Sequence, residues 1–228
     1  MKYAVITGGS KGIGEALVKI FNNNDYKVIS LDIEKPLNKI PGVIYQHVDI
    51  RDFQAVQKIA FDSLHVDILI NNAAMQHINS LKELKEQEIK DMLDTNILGT
   101  LNVTKAFIPL LKDSLIINIG SVHSETPRTD KIPYDMSKAA LSIFTKEIAL
   151  ELAEQGTRAI CVEFGAVQTP MNNNFANENE KKEAISKQVI QHMMSTEECA
   201  KMVFELTTDK FAYMNGAVIK YDCGRSLK

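Results

Sequence analysis

The chain has 228 residues, 45% of them hydrophobic and 24% charged, the composition of one globular domain with a sizeable core. A formal charge of -3 argues against a nucleic-acid or anionic-membrane surface, and no run approaches the ~18 apolar residues of a membrane span. Three dispersed cysteines, Cys161, Cys199 and Cys223, form no CxxC pair, which fits a reducing compartment and speaks against a disulfide scaffold. The chain starts almost directly on an apolar strand with no basic, cleavable leader, so a soluble cytoplasmic protein is expected.

Lys2–Thr7 reads as a buried strand that runs into Gly8-Gly9-Ser10-Lys11-Gly12-Ile13-Gly14 and then a helix over 15–22. Glycines let a backbone approach a pyrophosphate, and a helix N-terminus offers free N–H groups and a positive dipole end. The spacing is GxxxGxG, without the third glycine of the common dinucleotide fingerprint and without the Gly-Lys-Ser/Thr of a P-loop. A second strand, 27–31, ends at Asp32, eighteen residues after Gly14, where a dinucleotide fold sets an acid against the adenosine ribose. A carboxylate there repels a 2′-phosphate and favours NAD. Lys11 points the other way, since a base in the glycine loop can pair with that phosphate, but it is free to swing into solvent.

A third strand, 43–48, ends at Asp49, which either meets the adenine edge or, as part of Asp49-Ile50-Arg51-Asp52, caps the helix expected over 51–63. A fourth, 67–70, leads to Asn71-Asn72-Ala73-Ala74, whose amides and small residues suit close approach of backbone to a ligand. Ser80-Leu81-Lys82-Glu83 has capping-box spacing. One long helix is expected over 86–111, with Asn96 as a buried amide inside it and a kink or early end at Pro109.

The fifth strand, 115–119, delivers Gly120-Ser121-Val122-His123 to the sheet edge at which open α/β folds bind ligands. Thirteen residues after Ser121 comes Tyr134, and Lys138 lies four further on, one face of a helix that starts near Asp130 and Pro133. A phenol beside an ammonium is a general acid/base pair: the positive charge favours the phenolate, at about 1.4 kcal/mol per pKa unit. A sixth strand, 158–163, opens onto Phe164-Gly165-Ala166-Val167-Gln168-Thr169. The polar, asparagine-rich stretch 171–194 is a substrate lid or a surface excursion. Ser195-Thr196-Glu197-Glu198 is a second capping box, and Ala217–Tyr221 closes the chain as a strand. Regular alternation of strand and helix predicts an α/β fold, one doubly wound parallel sheet spanning residues 1–228 as a single domain.

Other chemistries fit poorly. His47, His65, His77, His123 and His192 lack metal-ligand spacing, and there is no GxSxG elbow. His123, Met75, Gln76 and His77 are candidates for a substrate-pocket wall.

Taken together and in this order, Thr7-Gly8-xxx-Gly12-x-Gly14, Asn71-Asn72-Ala73-Ala74, Asn96, Ser121 and Tyr134-xxx-Lys138 resemble the short-chain dehydrogenase/reductase family over nearly the whole chain. The resemblance implies a Rossmann sheet of order 3-2-1-4-5-6-7, a nicotinamide cofactor and a small alcohol or ketone as substrate. It further implies a catalytic set of Asn96, Ser121, Tyr134 and Lys138, in which Asn96 positions a water and Lys138 lowers the Tyr134 pKa. Gly8, Ser10, Lys11, Gly12, Ile13, Gly14, Asp32, Asp49, Ile50, Asn72, Ala73, Ala74, Tyr134, Lys138, Gly165, Val167 and Thr169 would bind the cofactor, NAD with NADP as the alternative. The family commonly forms homo-tetramers or homo-dimers through the helices that carry Asn96 and Tyr134. Two departures stand out: NNAA replaces the usual NNAG, and Phe164 replaces the usual proline before Gly165. Two rival readings remain, an NADP-dependent carbonyl or acyl reductase and a non-catalytic dinucleotide-binding sensor or scaffold.

Overall fold

A computed structural model describes residues 1–61, 65–172 and 178–228. Seven strands, β1 (Lys2–Thr7), β2 (Tyr26–Asp32), β3 (Ile44–His47), β4 (Ile68–Asn71), β5 (Leu115–Ser121), β6 (Arg158–Phe164) and β7 (Ala217–Tyr221), form one parallel sheet of order 3-2-1-4-5-6-7. Short runs of Val, Ile and Leu make these strands, and successive side chains must point to opposite faces. Ala4 and Ile6 of β1 accordingly join a core with α1 (Gly12–Asn22) and α7 (Thr196–Glu205), through Leu17, Phe21 and Val203. Val5, between them, joins the opposite core with α2 (Phe53–Phe61), α4 (Thr100–Phe107) and α5 (Ile132–Glu151), through Val56, Phe107 and Ile148. Both faces are thus covered, as a parallel sheet requires.

The expected single helix over 86–111 is divided. α3 (Glu86–Leu93) widens into a π turn over Asp94–Gly99 before α4 continues, and the run ends in a 3-10 turn, Ile108–Leu110, that contains Pro109. Ser80 Oγ does bond Glu83 Oε2 at 3.0 Å, yet it closes only a turn. The helix begins later, where the Lys85 N–H donates to Glu88 Oε2 at 2.9 Å. The Ser195 box behaves as read: Ser195 Oγ accepts from Glu198 N at 3.1 Å, and Glu198 Oε2 accepts from Ser195 N at 2.7 Å.

Within the stretch 171–194, α6 (Glu178–Ser186) is helical, while Asn173, Asn174 and Asn177 lie outside the described residues, as does Ser63 at the expected end of α2. No helix among the described residues is long and apolar enough to cross a membrane, and no group of three His, Cys, Asp or Glu among them is placed to hold a metal.

Candidate active site

The turn after β1 is built by exclusion of side chains. Gly8 adopts φ +68°, and a Cβ there would meet Ala73 Cα at 2.9 Å; a Cβ on Gly14 would fall 1.9 Å from the Gly8 carbonyl oxygen. The start of α1 therefore lies directly against the turn, and its first N–H groups, from Gly12, Ile13 and Gly14, have no partner within the helix. From the neighbouring strand, Asn72 Nδ2 donates to the carbonyls of Thr7 (2.9 Å) and Gly8 (3.1 Å). Thr7 Oγ1 accepts from the N–H groups of Asn72 and Ala73, both at 3.0 Å. Asn71, one residue earlier, turns the other way into a buried network with Thr104 and Asn118.

At the end of β2, Asp32 Oδ2 accepts from Ser10 N at 2.9 Å and Oδ1 from Glu34 N at 2.9 Å. Ser10 Oγ donates to the Glu34 carbonyl at 2.8 Å. Lys11 is occupied: its Nζ lies 2.6 Å from Glu34 Oε1. Asp49 is occupied as well. Arg51 donates to its carboxylate from Nε and Nη2, at 2.7 to 3.0 Å, and holds the Asp49 carboxyl below the usual carboxylate range. The helix cap is made by Asp52, the last residue of the expected capping segment, whose Oδ1 accepts from Ala55 N at 3.1 Å. Ile50 is buried against Gly99 of the π turn.

The chemistry gathers at the C-terminal end of β5. Ser121 is the last residue of the strand, and its Oγ accepts from His123 N at 3.2 Å, leaving the hydroxyl proton available. Tyr134, in the first turn of α5, is 9% exposed, and the nearby Ser121 side chain favours its phenolate form. Lys138, one turn on and 3% exposed, donates from Nζ to the Ile119 carbonyl at 2.8 Å, with Nζ 5.6 Å from the centre of the Tyr134 ring. Burial dominates both groups. It pushes the Tyr134 phenol up to about 12 and the Lys138 ammonium down to about 8, so in the protein alone Lys138 does not bring Tyr134 below its ordinary value.

Asn96, 1% exposed in the π turn, ties the site together. Its Oδ1 accepts from Met75 N (2.8 Å), and its Nδ2 donates to Met75 O (2.9 Å) and Ser137 Oγ (3.0 Å). Ser137 Oγ in turn donates to the Tyr134 carbonyl at 2.7 Å. Asn96 thus acts through Met75 and α5, and it does not touch the Lys138 ammonium.

A family model described as short chain dehydrogenase matches residues 2–180. The chain belongs to that family. Over 249 residues it is 28% identical to the oxidoreductase UcpA of Salmonella typhimurium, with 99% of this chain and 95% of that protein covered. It is 29% identical to dehydrogenase/reductase SDR family member 6 of Rattus norvegicus, with 99% and 98% covered. A 3-ketoacyl-(acyl-carrier-protein) reductase from Brucella melitensis, complexed with NADH, shares the fold at a TM-score of 0.90 and 24% identity, with 99% and 98% covered.

Beside the site lie residues that the sequence did not single out. Gln188, fully buried, accepts from Ala166 N (3.1 Å) and donates to the His192 carbonyl (2.6 Å), fastening the far end of the 171–194 stretch beside Gly165. Gly165 packs on Asp222, and Val167 pairs with Met194 in an isolated bridge next to Thr169. Phe164, where proline is usual, keeps a strand N–H and stacks edge-on against Tyr221 at 6.1 Å, so β6 runs one residue further along β7. Ser137 and Gln188 have no local signature; the bonds Asn96–Ser137 and Ala166–Gln188 join segments far apart in sequence.

Proposed function

We propose that the protein transfers a hydride between NAD(H) and a small alcohol or ketone, with Tyr134 as general acid/base. The observation that carries this reading is the convergence of Ser121, Tyr134 and Lys138 at the end of β5, across the same sheet edge from the glycine turn after β1. A bound nicotinamide supplies the hydride donor or acceptor. The residues of the chain would then divide the remaining work. The glycine turn and α1 N-terminus offer N–H groups to the pyrophosphate, braced by Asn72, with Ala73 and Ala74 leaving room for it. Asp32 takes the adenosine ribose hydroxyls. Gly165, Val167 and Thr169 face the nicotinamide end, and the stretch 171–194 covers the substrate.

Ser121 donates to the substrate oxygen where negative charge develops, and Tyr134 exchanges a proton with the same oxygen. Lys138 holds positive charge beside Tyr134 and reaches toward the nicotinamide ribose. The Asn96 side chain is spent on Met75 and Ser137, so a water relay to Lys138 would have to use the Asn96 main-chain oxygen, which already accepts from Thr100 Oγ1 at 3.0 Å. NAD is favoured over NADP because Asp32 would repel a 2′-phosphate while Lys11, its natural counter-ion, is paired with Glu34.

Oligomerisation through the two long helices has support in their exposed apolar residues. Leu98 and Leu101 are 46% and 41% exposed on the helix of Asn96, and Met136, Ile143 and Leu150 are 59%, 56% and 77% exposed on α5. A homo-dimer or homo-tetramer in the cytoplasm is the proposed form.

The test is a fluorescence titration of NADH and NADPH on the wild type and on Asp32→Ala. Tight NADH and weak NADPH binding, relaxed by the substitution, is expected; a preference for NADPH would make the protein an NADP-dependent reductase, and binding of neither would leave a scaffold.

A further inference from the structure

One cation beside Tyr134 has no role in the reaction so far. Lys131, the residue just before α5, is 6% exposed, and its Nζ lies 5.6 Å from the centre of the Tyr134 ring. Its hydrogen-bond partner is a neutral amide: Nζ donates to Gln76 Oε1 at 3.0 Å, and Gln76 Nε2 donates onward to the Met171 carbonyl at 3.1 Å. Among the described residues no carboxylate forms an ion pair with it; Asp130 is taken by Arg128 at 2.9 Å, and the Asp135 Oδ2 accepts from the Arg128 N–H at 2.8 Å. Burial first and the nearby Arg128 second hold the Lys131 pKa below the ordinary lysine value, against the opposing pull of Asp130 and Asp135, which lie near it without pairing with it. A buried cation held by a neutral amide, with no carboxylate in direct contact, keeps donor capacity for the anionic group of a ligand.

We infer that the substrate is a short hydroxy acid or keto acid whose carboxylate is held by Lys131, one or two carbons from the carbon that reacts at Tyr134. The inference rests on the dehydrogenase reading above and supplies its substrate class. The Lys131 ammonium stands beside the Tyr134 ring, with Gln76 fixing it between the loop after β4 and the first residues of the 171–194 stretch. One ammonium with a neutral partner matches one negative charge. The neighbouring Arg225 is engaged elsewhere, donating from Nη1 to the Lys187 carbonyl at 3.2 Å. In the oxidising direction the hydroxy acid gives a hydride from its carbinol carbon to the oxidised nicotinamide dinucleotide and its hydroxyl proton to Tyr134. The products are the keto acid, the reduced dinucleotide and one proton; the carboxylate and Lys131 keep their charges throughout.

The experiment measures NAD-linked turnover of 2- and 3-hydroxy acids of three to five carbons against their methyl esters, on the wild type, Lys131→Met and Lys131→Arg. The wild type should prefer an acid over its ester by on the order of 100-fold in kcat/KM. Lys131→Met should lose that preference mainly through KM, and Lys131→Arg should keep part of it. NADH affinity should be unchanged, and Lys131→Met should melt no lower than the wild type without substrate, which a structural role for Lys131 would not allow. Preference for the esters, or a preference for acids that survives in Lys131→Met, would overturn the assignment while leaving the dehydrogenase reading intact. If nothing is turned over, titrating the same acids into the protein with NADH separates the two ideas. Saturable binding that Lys131→Met abolishes supports the carboxylate site without the reaction, and binding indifferent to Lys131 overturns it.

Discussion

Tyr134 and Lys138 are shifted by the same cause in opposite directions, because burial penalises the charged form of each, phenolate in one case and ammonium in the other. Under the proposed mechanism, further positive charge or hydrogen bonding in the loaded site would have to favour the phenolate. Tyr134→Phe should lower kcat about a thousandfold, within the range of a lost general acid/base, and change NADH affinity by less than about twofold. Loss of both, or of neither, would count against the role. His123 gives a stability prediction. Its ring packs edge-on to Tyr134 at 6.2 Å, its Nδ1 lies 3.0 Å from the Thr126 carbonyl, and burial drops its pKa from 6.5 to about 4. The unfolded chain therefore binds the extra proton between those values. The stability that neutral His123 contributes is complete above pH 6.5 and drains away as pH falls toward 4, by at most about 3 kcal/mol. Denaturant unfolding of His123→Gln should show a flatter acid limb across that window than the wild type.

At the scale of elements, the π turn over Asp94–Gly99 is where sequence reading fell short. Apolar spacing through Leu93, Ile97 and Leu101 reads as an unbroken helix, since a local widening leaves that pattern intact. The widening becomes understandable only with Met75 and Ser137 in view, because Asn96 bonds residues twenty-one and forty-one positions away. Asn96→Ala removes three bonds and leaves Met75 N–H and carbonyl unsatisfied; unfolding in urea should find it destabilised by about 2–4 kcal/mol. The Ser195 box was legible because both its bonds are local, and Ser195→Ala should cost about 1 kcal/mol in the same assay. Identical spacing at Ser80 closed only a turn. There the chain is tied to a remote segment instead, Asn79 N donating to the Asp130 carbonyl at 3.0 Å.

For the whole molecule, the alternation of strand and helix leads to the doubly wound sheet, and crossover handedness leaves few other ways to cover both faces. On α5, the large apolar residues Met136, Ile143 and Leu150 face solvent rather than the core. Replacing Leu101 and Ile143 by lysine should lower the mass measured by sedimentation toward the 25.5 kDa of one chain if this face joins subunits; an unchanged mass would place the interface elsewhere.

What the sequence determined by itself is what depends on short range: strand and helix periods, the glycine turn, the cap at Ser195, and the identity of Ser121, Tyr134 and Lys138 as a spaced set. Tertiary structure alone decided which polar groups were already spoken for. Lys11 is taken by Glu34 and Asp49 by Arg51, whereas Lys131, unremarkable in the sequence, is left with a neutral partner beside Tyr134. The reason is physical. A charge in water costs little wherever it falls, so its spacing says little, but a buried charge is defined by the partners that folding brings within a few ångströms of it.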